Sequence, residues 1–98
     1  MLYTLQAFMA FAFINLRRFD DALAEAEKAL HKKDSFLLSH RCHVAALAHL
    51  GRDSEAKQAA AQLLEHEPDF RVSVWAGRTR QWPTALLAEG LRKTGLPE

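Results

Sequence analysis

Small and apolar side chains recur at helical spacing through the middle of the chain. Two rows in steps of four show this most clearly: Ala22, Ala26 and Leu30, and then Ala56, Ala60 and Leu64. Residues four apart lie on one face of an α-helix, and a row of small residues lets a second helix approach that face closely. The pattern therefore predicts helices that pack in pairs. With three prolines and four glycines, the chain also has few of the turn residues of an all-β fold.

The same pattern gives approximate boundaries for six helices. They are expected over residues 2–16, 19–32, 36–50 and 53–66, then from near Phe70 to the polar run 77–81, and finally from Pro83 onward. Asp34, Ser35 and Asp69 are expected N-caps, because their side chains can accept hydrogen bonds from free backbone N–H groups. Gly51 suits a left-handed helix end, and Pro83 suits the first position of a helix because its φ is fixed.

The chain also matches itself when residues 3–36 are aligned with residues 37–70. The identical pairs are Ala12 with Ala46, Leu16 with Leu50, Arg18 with Arg52, Ala22 with Ala56, Ala26 with Ala60, Leu30 with Leu64, and Phe36 with Phe70. Two helices in each period of about 34 residues are the pattern of the tetratricopeptide repeat. The chain resembles this family most clearly over residues 3–70.

Particular positions carry the resemblance and its departures. A small residue followed by a larger apolar one marks the first helix of each repeat: Ala10 and Phe13, then Val44 and Leu47. Pro68 matches the proline that closes a repeat, whereas Asp34 stands there in the first copy. Arg17 replaces the turn glycine that the second copy has as Gly51. Gln6 and His40 replace the bulky residue near the start of the first helix.

The resemblance implies an all-α fold built from about two and a half antiparallel helix hairpins. Repeat 1 would cover residues 3–36 and repeat 2 residues 37–70, with a partial repeat and a C-terminal capping helix in residues 71–98. A chain of 98 residues has the length of a single domain. Such arrays need a polar outer face on the last helix, and Thr84, Glu89, Arg92 and Lys93 are expected to provide it.

In this family the first helices of the repeats line a concave surface that binds protein partners. Carried onto this sequence, the implied partner groove consists of Phe11, Ile14, Asn15, Leu38, Arg41, Ala45, His49, Val72 and Trp75. Only Arg41 and Asn15 have the side chains that grip a peptide carboxylate in some members of the family. The groove is mainly apolar, so its expected partner is an amphipathic helix of a protein or peptide, or a second copy of the chain.

Residues 1–16 include no charged side chain, and thirteen of them are apolar. The run is shorter than the roughly 20 residues that span a bilayer, and no basic residue or cleavage pattern marks a signal peptide. We therefore expect no membrane segment and a cytoplasmic protein. A helix that is apolar all round is buried all round. This predicts a homo-oligomer that associates through the first helix, with Leu5, Phe8 and Phe11 in the contact, unless an upstream repeat covers it.

The composition and motifs of the sequence give little support for nucleic-acid binding, metal binding or catalysis. The formal net charge of +1 disfavours a dedicated nucleic-acid binder, and the single cysteine, Cys42, excludes an internal disulfide and a multi-cysteine zinc site. His40 and His43 share a helix face but have no carboxylate near them in sequence. No glycine-rich phosphate loop or nucleophile motif is present. We expect no catalytic residue, no metal site and no cofactor, and hence a protein that is not an enzyme.

The C-terminal segment carries a second resemblance. Residues 90–98, Gly-Leu-Arg-Lys-Thr-Gly-Leu-Pro-Glu, resemble the end of bacterial signalling proteins in which tetratricopeptide repeats follow an adenylate or guanylate cyclase domain or a winged-helix domain. This implies a protein-interaction or oligomerisation module from the C-terminal part of such a protein. Two alternatives stay open. One is a free-standing adaptor for an amphipathic helical peptide. The other is a weak nucleic-acid contact through the basic tail, which contains Arg71, Arg78, Arg80, Arg92 and Lys93 with Trp75 and Trp82.

Overall fold

The computed structural model describes residues 2–98, and over that range the chain is all α-helical, as predicted. The helices are α1 (Leu2–Asn15), α2 (Phe19–Lys32), α3 (Leu37–His49), α4 (Asp53–His66), α5 (Val72–Arg78) and α6 (Ala85–Arg92). The first four agree with the predicted boundaries to within one residue. None of the described helices is long and apolar enough to cross a membrane.

The first four helices pack as two successive hairpins. Helix α1 packs against α2, α3 against both α2 and α4, and α1 also touches α3. The small residues of the two rows form these contacts: Ala22 and Ala26 in α2 are fully buried, and Ala56 and Ala60 in α4 are almost so. Because alanine side chains are short, the helix axes can come close together. The rows seen in the sequence are therefore the contact faces of the hairpins.

The two hairpins turn in the same way, although their turn residues differ. Arg17 has φ 60° and Gly51 has φ 76°, so both occupy the left-handed region. The next N–H then donates back to the preceding helix: Arg18 to Phe13 O at 2.9 Å and Arg52 to Leu47 O at 3.0 Å. These bonds satisfy carbonyl groups at the helix end. The two hairpins are therefore alike in the backbone of their turns as well as in their helices. In the first turn Arg17 takes a left-handed conformation that a glycine adopts at lower cost in free energy.

The predicted N-caps are wrong. Phe36 stands at the N-cap of α3 and Arg71 at that of α5, and neither makes a side-chain capping bond. An edge-to-face contact between the rings of Phe36 and Tyr3, with 5.5 Å between their centroids, holds the start of α3 against α1 instead. Asp69 lies inside a turn, because the N–H of Phe70 donates to the carbonyl of Glu67.

The last helix begins two residues later than Pro83 predicts. The N–H of Thr84 donates to the carbonyl of Trp82 at 2.8 Å, which places Pro83 inside a tight turn. Thr84 then occupies the N-cap position of α6 and is itself buried, so it contributes nothing to the polar outer face. Glu89, Arg92 and Lys93 are exposed, as predicted for that face.

Helix α6 lies across α3 and also reaches α1. Leu87 and Leu91 are fully buried beneath it, and Gly90 meets the backbone of Ala45. The tail beyond α6 returns to the start of α5, where the N–H groups of Val72 and Ser73 donate to the carbonyls of Pro97 and Glu98. Residues 70–98, which we call the C-terminal unit, thus fold back over the first helices of both hairpins.

Candidate functional site

The C-terminal unit covers half of the groove that the sequence predicted. Ile14, Ala45 and Val72 are fully buried, and His49 is bound by α6. The Nε2 of His49 lies 2.8 Å from the carbonyl oxygen of Leu86, so it must carry the proton and donate. The ring of His49 also stacks on Phe19 at 4.4 Å between centroids. These contacts are internal to the chain, and this half of the surface is not open to a partner.

The other half of the groove is open. A cavity of about 550 Å³ lies between the middle of α1, the N-terminal half of α3 and the C-terminal unit. We call it the aromatic pocket. It is lined by Phe8, Phe11, Ser35, Phe36, Leu37, Leu38, Arg41, Trp75, Thr79, Trp82, Thr84 and Leu87. From the predicted groove it contains Phe11, Leu38, Arg41 and Trp75, whereas Asn15 lies outside it and is half-buried.

The pocket also contains residues that the repeat pattern did not predict. Phe36, Trp82 and Leu87 come from the connection before α3 and from the C-terminal unit. The sequence held one indication of these residues. A tryptophan or a phenylalanine in a polar connecting segment is often part of a contact or a binding surface. Their position depends on how α6 folds back, and no local pattern gives that.

Arg41 is the charged side chain that the described part of the chain places in the pocket wall. Its guanidinium forms an ion pair with Glu67 at 2.8 Å and lies over the rings of Phe70 and Trp75, at 5.4 and 5.5 Å from their centroids. The side chain is about 15% exposed, so its charge is largely withdrawn from water and balanced by Glu67. Arg41 Nε is buried and makes no hydrogen bond within residues 2–98. Arg41 is therefore fixed in the pocket wall by these contacts, and its charge is neutralised by Glu67 and not free to bind a ligand.

The pocket has the chemistry of a binding site for apolar groups. Apart from Arg41 and three hydroxyl side chains, its lining is aromatic and aliphatic. Such surfaces bind by excluding water from apolar area, with few polar groups to fix orientation. A bulky side chain projecting from a partner helix fits this character.

An exposed apolar face of α1 adjoins the pocket. Leu2, Leu5, Phe8 and Met9 are 61%, 57%, 54% and 38% exposed. Of the residues predicted for self-association, Leu5 and Phe8 are therefore open to solvent, while Phe11 is half-buried in the pocket wall. Phe8 belongs to both features, since it lies on the exposed face and lines the pocket.

His40 and His43 of α3 make their contacts with other residues of the chain. The Nε2 of His40 donates to the carbonyl of Asp34, and its ring lies 4.6 Å from that of His66. His43 Nε2 lies 3.8 Å from a carboxylate oxygen of Glu27. Burial lowers the pKa of both His40 and His43, because the imidazolium form loses water. No three ligating side chains among residues 2–98 come close enough to hold a metal ion.

Cys42 is fully buried and its thiol faces the carbonyl of Ala7 at 4.0 Å. Burial raises the pKa of this thiol to about 12, so it stays protonated at neutral pH. The thiolate is the nucleophilic form of cysteine, and Cys42 therefore serves here as a small core residue.

The basic residues of the tail lie on the surface of the C-terminal unit. Arg71, Arg78, Arg80, Arg92 and Lys93 are all exposed. Arg92 is paired with Glu98 at 3.2 Å. Trp75 and Trp82 both line the aromatic pocket.

The fold and the site define a small all-α domain of helical hairpins with an apolar pocket. No protein-family model, no curated protein and no solved structure matches this chain.

Proposed function

We propose that the chain is a non-catalytic protein-interaction module of the tetratricopeptide type, which self-associates through the exposed face of α1. The observation that carries the proposal is the apolar face formed by Leu2, Leu5, Phe8 and Met9, which continues into the aromatic pocket. A large exposed apolar patch of this kind marks an interaction site on a folded protein. Covering these four side chains with a partner would remove apolar area from water, which is favourable by about 25 cal/mol per Å².

Two further features support the type of module. The second hairpin repeats the sequence pattern of the first, and the two turns share the same backbone bonds. The segment 90–98 resembles the end of bacterial cyclase-type or winged-helix signalling proteins. We therefore propose a cytoplasmic role as the C-terminal interaction segment of such a protein, in which association of the repeats brings the other domains together.

Sedimentation velocity over a range of protein concentrations tests self-association. The wild-type chain is expected to shift from monomer to dimer as its concentration rises. Leu5→Glu places a charge on the exposed face and should keep the chain monomeric, while Ala61→Glu changes an exposed residue of α4 and should leave the dimer intact. A wild-type chain that is monomeric at every concentration would refute the proposal.

One observation favours a second function, that of an adaptor for a helical peptide. Helix α6 is itself an amphipathic helix bound on the face that the repeat family uses for ligands, with Leu87 and Leu91 inward and Glu89 outward. An external helix of similar pattern could occupy the same face when α6 is displaced. A synthetic peptide of residues 83–98 should then bind a Gly90→Ala chain and not the wild type, as measured by calorimetry.

A further inference from the structure

We infer that the aromatic pocket is filled by Phe8 of a second copy, so that each chain of the dimer inserts this ring into the pocket of the other. The inference rests on the proposed self-association and specifies which side chain makes the central contact between the two copies. It assigns the occupant of the pocket to a stated residue of this same chain.

The exposed face of α1 is continuous with the pocket. Phe8 is 54% exposed and lines the pocket next to Phe11, while Leu5 and Met9 extend the apolar face beyond it. A partner that covers this face of α1 therefore also reaches the mouth of the pocket. Trp82, which is 60% exposed, also lines the pocket and belongs to the C-terminal unit.

Two-fold symmetry favours a second copy as the occupant of the pocket. In a two-fold dimer the same patch meets itself, so a patch must carry both the projecting group and the cavity that receives it. The surface around Phe8 has both, because this side chain is 54% exposed and lies in the wall of a cavity of about 550 Å³. A second copy therefore brings a side chain of the right chemistry to the right place, and no other molecule need be invoked.

The available area is sufficient for a dimer. Leu2, Leu5, Phe8, Met9 and Trp82 are between 38% and 61% exposed. At about 200 Å² for a large apolar side chain, their exposed parts amount to roughly 500 Å² per copy. A standard interface buries about 800 Å² per partner, of which somewhat more than half is apolar. The exposed apolar surface at this site thus matches what one partner contributes.

Charge does not oppose the approach of two copies. Residues 1–16 have no charged side chain. The polar groups in the pocket lining are the neutral hydroxyls of Ser35, Thr79 and Thr84, and Arg41 is balanced by Glu67. Two identical surfaces repel when they carry net charge, and the pocket lining contributes only Arg41, which is paired with Glu67. Neutral surfaces that are mostly apolar are suited to meet themselves.

The two tryptophans of the chain make the contact measurable. Both Trp75 and Trp82 line the pocket, so intrinsic tryptophan fluorescence reports on this site. Filling the pocket removes water from Trp82, and its emission should move to shorter wavelength as the protein concentration rises. The midpoint of that shift should coincide with the monomer–dimer midpoint from sedimentation.

Variants separate the contact from self-association in general. Phe8→Ala should weaken dimerisation at least about tenfold and abolish the concentration-dependent emission shift, as expected for a central aromatic anchor. Leu16→Ala is the matched control, since Leu16 is 65% exposed just beyond α1 but does not line the pocket. It should change neither measurement.

Three outcomes would overturn the inference. A dimer that forms without any change in tryptophan emission places the interface away from the pocket and leaves the proposed self-association intact. If Phe8→Ala does not weaken the dimer, the interface also lies away from the pocket, and the proposed self-association again remains intact. A chain that stays monomeric but whose emission shifts with phosphatidylcholine vesicles assigns the pocket to lipid, and refutes the inference and the self-association together.

Discussion

Gly90 of α6 lies directly against Ala45 of α3. A Cβ atom added at Gly90 would stand 2.8 Å from both the Cα and the Cβ of Ala45, and 2.9 Å from its carbonyl oxygen. Side-chain carbons do not approach backbone atoms this closely, and the backbone of a buried helix cannot move aside easily. The docking of the C-terminal unit on α3, and with it the closed half of the groove, therefore depends on a missing methyl group.

Replacing Gly90 by alanine should push α6 away from α3. We expect the free energy of unfolding to fall by about 1–3 kcal/mol, as for other overpacked sites, even though alanine favours a helix more than glycine does. Gly77→Ala is the matched control, because a Cβ at Gly77 in α5 meets nothing within 4 Å. It should be neutral or stabilising by up to about 1 kcal/mol. Urea unfolding of both variants measures the difference, and equal stabilities would contradict the close contact.

The two hairpin turns offer a reciprocal pair of substitutions. Arg17 holds a left-handed conformation at φ 60°, which costs a residue with a Cβ about 1 kcal/mol relative to glycine. Arg17→Gly should therefore raise the free energy of unfolding by up to about 1 kcal/mol. Gly51→Ala, at φ 76° in the second turn, should lower it by a similar amount. Thermal unfolding measures both, and a pair of changes with the same sign would show that the turns are not equivalent.

Local patterns were enough to predict the repeating part of the fold. The rows of small residues gave the hairpins of α1 to α4 because those residues really are the helix contacts, with Ala22 and Ala26 fully buried. The alignment of the two halves pairs Arg17 with Gly51, and both residues take a left-handed backbone conformation. Sequence periodicity succeeds here because each hairpin packs against its neighbour in sequence.

The position of the C-terminal unit could not be predicted from local sequence patterns. The bond from His49 to Leu86 and the contact of Gly90 with Ala45 join residues that are far apart in sequence. Neither leaves a periodic signal, so the predicted groove included Ala45 and His49, which α6 covers. Four of the predicted groove residues still reach the pocket, because they lie in the half that α6 leaves open. The start of α6 was misplaced because Pro83 takes part in a turn closed by Thr84.

A buried and an exposed alanine of α2 test the hairpin packing. Ala26 is fully buried between helices, whereas Ala24, two residues earlier, is exposed. Ala26→Glu would place a carboxylate in an apolar contact without a partner, at a cost of more than about 3 kcal/mol, which is much of the stability of a small domain. Cooperative melting by circular dichroism should be lost. Ala24→Glu should stay within about 0.5 kcal/mol of the wild type. A normal melt of Ala26→Glu would refute the pairing of α2 with α1 and α3.

Stability should depend on pH through His40 and His43. Burial lowers the pKa of each below its ordinary value of 6.5, so the unfolded chain binds a proton more readily than the folded one. Where the unfolded state binds more protons, the free energy of unfolding rises with pH. The stabilisation of neutral histidine is therefore fully present above pH 6.5 and is lost as the pH falls through that value toward the lowered pKa values.

The measurement is the difference in urea unfolding between the wild type and a His40→Gln, His43→Gln double variant at a series of pH values. Glutamine at position 40 keeps a donor for the carbonyl of Asp34 but does not titrate in this range. The wild type should lose stability relative to the variant as the pH falls from 7 to 5, with the carboxylates common to both cancelling. Ala24 is exposed in α2, so Ala24→Gln changes no titratable side chain; it is the control and should leave the pH dependence unchanged. Parallel curves for the wild type and the double variant would mean that the two rings are as well hydrated in the folded chain as in the unfolded one, against their burial in α3.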